Sequence, residues 1–105
     1  MKKVKITVIR MAHYDDLIEK YETPIEHACE MHEGDVFICN GYVRPRTFCG
    51  GAWENMAPFV KELANGGGNF FGEWMKQPNT AMVSCNDGFR PVSFLLEMLD
   101  EDADL

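Results

Sequence analysis

The chain has 105 residues, 46% of them hydrophobic and 11% aromatic, which fits one globular domain and excludes a disordered chain or two domains. Its 17 acidic and 10 basic residues leave a net charge of −7. Phosphate neutralisation supplies most of the affinity of a protein for nucleic acid, so an acidic chain with scattered lysines and arginines argues against that partner. It argues equally against an anionic membrane surface.

Lys2–Lys5 imitate the basic start of a secretory signal, but the apolar run Ile6–Met11 is short and broken by Arg10. Nowhere does an apolar window approach the roughly 18 residues of a membrane span. The expected location is cytoplasmic, where thiols stay reduced. The four cysteines at 29, 39, 49 and 85 are then read as free thiols or metal ligands ahead of disulfides.

Residues 3–10 alternate, with Val4, Ile6 and Val8 on one side and Lys3, Lys5 and Thr7 on the other, which predicts a half-buried strand. Tyr14, Leu17, Ile18 and Tyr21 then follow helical spacing behind Asp15 and Asp16, predicting a short amphipathic helix. Thr23, Pro24 and Glu26 make a capping-box pattern for one or two further helical turns, which Gly34 ends. Residues 35–39 read as a second strand and 40–51 as a loop.

From Ala52 to Ala64 an apolar face of Trp53, Met56, Ala57, Val60, Leu63 and Ala64 predicts a helix, with a kink or break at Pro58. Asn65 and Gly66 end it. Phe70/Trp74 and Phe71/Met75 are i, i+4 pairs that suggest another short helix. Residues 80–85 and 92–99 flank the turn sequence Asn86–Pro91 and predict a hairpin. The expected architecture is a single α+β domain over residues 1–99, with short helices on a small mixed or antiparallel sheet. Residues 100–105 are expected to form an acidic, frayed tail.

Three places carry candidate chemistry. Cys49 sits beside Gly50 and Gly51 at an expected helix start, where free N–H groups and the helix dipole favour a thiolate, and only the thiolate is nucleophile or metal ligand. Its plainer reading is a small buried apolar residue. Cys85 closes a strand just before a turn, with Asp87 and Arg90 placed to orient or balance it. The plainer reading there is an Asx turn with a solvated arginine. Cys29 and His32 form a C-x-x-H pair, and Cys29, His32, Cys49 and Cys85 would together make a Cys₃His set suited to zinc or another thiophilic metal. The glycine run 66–68 follows an expected helix and lacks a closing lysine, so it reads as a connector and not a phosphate loop.

The motifs at Val4–Val8, Cys29 with Gly34-Asp35-x-Phe37, Cys49-x-x-Ala52 with Pro58, and Cys85-x-Asp87 with Pro91-Val92-x-Phe94 together resemble a family. Its members are small, uncharacterised prokaryotic proteins typical of anaerobes, with the pattern C-x-x-G-H-K-V-G-D-x-F, then G-x-C-x-x-A, then C-P-D-x-x-x-P-V-x-F. The likeness spans residues 4–97. It puts Cys29, Cys49 and Cys85 on family positions and leaves Cys39 as an extra. His32 stands only roughly at the family histidine, and Asn86 replaces the usual proline. The resemblance implies a domain type and a thiol cluster, with no reaction attached.

Two functional readings follow. In one, Cys29, Cys49 and Cys85 converge as a metal-binding or thiol-redox site with Asp87 and Arg90 beside them, or Cys49 acts as an enzyme nucleophile. In the other, the chain is a non-catalytic binding or homo-oligomerisation module with structural cysteines, its sheet edges and its seven methionines offering an adaptable surface.

Overall fold

The computed structural model describes residues 1–24 and 30–104. Their elements are β1 (Lys2–Met11), α1 (Asp15–Tyr21), β2 (Val36–Cys39), α2 (Gly50–Ala64), β3 (Thr80–Ser84) and β4 (Val92–Asp102). The strands form one sheet in the order β2-β1-β4-β3, and every neighbouring pair is antiparallel. The first and last strands thus lie side by side at the centre. The α+β expectation holds, with an antiparallel sheet.

Alternation in β1 and β4 decides which way the sheet faces. Val4, Ile6 and Val8 point to the same side as Val92, Phe94 and Leu96, and all six are buried. Helix α2 lies on that side and brings Ala52, Met56, Val60, Leu63 and Ala64 down onto it. Each large side chain among them stabilises the fold by roughly 1.5–3 kcal/mol through its burial.

Helix α2 is one run of fifteen residues with the exposed Pro58 inside it, not two pieces. It also begins earlier than its apolar stripe, with Cys49 as N-cap and Gly50 and Gly51 in the first turn. First-turn N–H groups have no intrahelical acceptor, so glycine there loses no hydrogen bond. At the other end Gly66, with φ 88°, donates to the Leu63 carbonyl at 3.0 Å, and the Gly67 N–H donates to Glu62 at 2.9 Å. The glycine run therefore caps and redirects the chain. Gly68 has φ 142°, and a Cβ there would stand 2.8 Å from the Asn79 Cα.

Two segments depart from the sequence reading. Residues 70–75 form turns and bends in place of a helix, because Phe71 and Gly72 take left-handed φ values of 51° and 65°. The aromatic side chains instead reach back to α2: the Phe70 ring lies 5.0 Å from that of Phe59, and Phe71 lies 6.4 Å from it. Residues 100–102, read as the start of a frayed tail, continue β4. Lys2 Nζ lies 2.9 Å from Asp102, and Asn40 exchanges two hydrogen bonds with the Asp104 backbone. The capping-box helix expected from Thr23 falls largely on 25–29, outside the described residues. The described residues contain no helix long and apolar enough to cross a membrane.

Candidate functional site

Phe48 fixes the entry to α2. Its buried ring packs edge-on against Phe37 at 4.9 Å and Trp53 at 6.2 Å, and tilted by 50° against Phe94 at 5.4 Å. That anchor sets the next residue, Cys49, at the helix N-terminus. Its carbonyl accepts the Trp53 N–H at 2.9 Å, and the residue remains exposed.

Cys85 is set by the hairpin. Its N–H donates to the Val92 carbonyl at 3.1 Å, and the Val92 N–H donates back to Cys85 Sγ at 3.3 Å. In the loop beyond, Asp87 Oδ1 accepts the N–H groups of Phe89 at 2.8 Å and Arg90 at 3.1 Å. This is the Asx turn that the plainer reading anticipated for Asp87. Arg90 is not solvated. Its guanidinium donates to Glu22 Oε1 at 2.6 Å, and both side chains are more than three-quarters covered. The Tyr14 N–H also donates to the Phe89 carbonyl at 2.9 Å, and the Ala12 N–H to that of Pro91 at 2.9 Å. The loop is thereby tied to both ends of α1.

Between the α2 N-terminus and this loop lies a cavity of about 130 Å³, lined by Met31, Cys49, Ala52, Cys85, Asp87 and Arg90 among others. Four of the six residues read from the sequence as candidates for chemistry, Cys49, Cys85, Asp87 and Arg90, thus border one space. The Cys85 sulfur accepts the Val92 N–H, Cys49 stands at the α2 N-terminus, and Asp87 and Arg90 both lie on the cavity wall. The α2 N-terminus presents partly positive charge to Cys49, while the Arg90 charge is balanced by Glu22.

The other described candidate, His32, lies elsewhere. His32 is exposed beside Asp35, with Nδ1 3.9 Å from Oδ2, and it does not border the cavity. Cys29 lies outside the described residues. Among those described, no group of three or more His, Cys, Asp or Glu side chains could hold a metal ion. Cys39 is fully buried on the core side of β2, and burial pushes its thiol from the ordinary 9.0 up to about 12. Sequence reading missed Glu22 and Met31. Glu22 is 68 positions from the arginine it holds, and no local pattern signals such a pairing.

Comparison of the chain with known protein families, with curated proteins and with solved structures finds no match in any of the three.

Proposed function

We propose that Cys49 and Cys85 form a redox-active dithiol site, with Cys49 as the attacking thiol and Cys85 as the resolving one. The observation that carries this reading is that two cysteines from distant segments line one small cavity, the first exposed and the second half-buried. A reducing cytoplasm, the expected compartment, would hold both as thiols. The substrate class is a disulfide. The Cys49 thiolate attacks one sulfur of R–S–S–R, forms a mixed disulfide and expels a thiolate that takes up a proton. The Cys85 thiolate then attacks the Cys49 sulfur and releases the second thiol. In total, the protein dithiol is oxidised to a disulfide and R–S–S–R is reduced to two R–SH. Asp87 and Arg90 hold the loop that carries Cys85, Asp87 through its Asx turn and Arg90 through Glu22.

Peptide mapping after treatment of the reduced chain with oxidised glutathione tests this. The expected product is a Cys49–Cys85 disulfide, while Cys85→Ser accumulates glutathione on Cys49 and Cys39 stays unmodified. Glutathione retained on Cys49 in the unaltered chain, or two unreactive thiols, would overturn the assignment. Elemental analysis of anaerobically purified protein separates the metal reading. One zinc per chain, lost in Cys49→Ser and in Cys29→Ser but kept in His32→Ala, would replace the redox pair with a three-cysteine metal site.

A further inference from the structure

Helix α2 covers only one side of the sheet, and α1 has no buried residue and packs on none of the strands. The opposite side carries large apolar side chains in the open: Val36 is 50% exposed, Ile38 46% and Met82 36%. Val36 and Ile38 lie on β2 and Met82 on β3, the two edge strands, so apolar contact area is offered at both margins of this face.

The strand register arranges this side in two rows that run straight across all four strands. One is Ile38, Lys5, Glu97, Thr80, and the other is Val36, Thr7, Leu95, Met82. Lys5 and Glu97 are neighbours on the two central strands, yet neither takes part in the ion pairs found among the described residues. Beside Thr80, a hollow of about 570 Å³ is lined by Trp74, Met75, Pro78, Leu95 and Glu97 among others.

We propose that this face binds a second copy of the same chain, sheet against sheet, about a two-fold axis running parallel to the strands between β1 and β4. A rotation about that axis keeps height along the strands and exchanges left for right. Each row is therefore laid on itself reversed. Lys5 meets Glu97 of the second copy, and Glu97 meets its Lys5. Val36 meets Met82, and Thr7 meets Leu95. Ile38 is set over the hollow beside Thr80. The two charges are opposite and sit symmetrically about the axis, so both ion pairs form at once. This is the self-complementarity that a two-fold interface requires. Two twisted sheets pack in this way at about 10 Å separation and within about 30° of alignment. A disordered peptide or an anionic surface would find no such use for a single central Lys–Glu pair.

Sedimentation equilibrium over a range of protein concentrations tests the proposal, with circular dichroism to check the fold of each variant. Lys5→Glu and Glu97→Lys each set like charges against each other across the axis. Each should raise the dimer dissociation constant by about tenfold or more, equivalent to ~1.4 kcal/mol. The double variant Lys5→Glu/Glu97→Lys should recover most of the loss. Ile38→Lys should give a folded monomer. A monomeric parent chain at every concentration would overturn the proposal. So would a dimer that both single charge variants leave intact, or a double variant no better than the singles.

Discussion

The buried thiol of Cys39 makes stability depend on pH in a direction that can be worked out. Burial holds its folded-state pKa near 12 against an ordinary 9.0, because a thiolate there would lose its hydration. Above that lower value the unfolded chain sheds a proton that the folded chain keeps. The folded state then binds more protons, and stability falls as pH rises. The contribution is fully present below 9.0 and is lost progressively as pH rises toward about 12. The slope approaches ~1.4 kcal/mol per pH unit, so the loss between about pH 8 and about pH 10.5 is about 2 kcal/mol. Urea unfolding of the parent chain and of Cys39→Ala across that interval, under reductant, isolates the effect. Lysines, tyrosines and the other cysteines titrate in both and cancel. The stability advantage of the parent should shrink by about 2 kcal/mol. A gap that stays constant to within roughly 0.5 kcal/mol would refute the claim that this thiol is desolvated in the fold.

Two further outcomes follow from packing. Met56→Ala removes a fully buried side chain from the centre of the α2–sheet contact and should cost about 2–5 kcal/mol in urea unfolding, whereas Tyr21→Ala, at a residue 65% exposed, should change stability by no more than about 0.5 kcal/mol. Arg90→Ala leaves the covered Glu22 carboxylate without its partner and should cost roughly 1–3 kcal/mol, while Arg90→Ala/Glu22→Gln should be less damaging than the two single losses added together.

Elements whose periodicity is reinforced by burial were legible in the sequence. The alternation of Val4, Ile6 and Val8, and the stripe of Met56, Val60 and Leu63, each describe a face that packs on the other. Misreadings fell where a local signal competed with tertiary structure. The aromatic spacing at 70–75 fits a helix equally well, but Phe59 draws Phe70 and Phe71 toward α2 through a left-handed turn. Acidic residues 100–102 look like a tail until pairing with Lys2 is taken into account, and that pairing exists only because β1 and β4 are neighbours. Pro58 lies on the exposed side of α2, where its ring is accommodated within one continuous helix.

Legibility of the site follows the same physics. Residue type and position at element boundaries were enough to single out Cys49, Cys85, Asp87 and Arg90, since a helix start and a strand end are where side chains leave the packed layers. What joins them is not local. Phe48 must be buried against Phe94 before Cys49 can face the hairpin, and Arg90 must find Glu22 before the loop beyond Cys85 is held. The alternation that turns Phe94 toward the cavity turns Leu95 and Glu97 the other way. Strand β4 therefore lines the cavity of the proposed thiol site on one side and contributes to the proposed self-association face on the other. Because the two lie on opposite sides of the sheet, neither has to be altered to change the other, and substitutions at Cys49 and at Lys5 should act independently on thiol chemistry and on association.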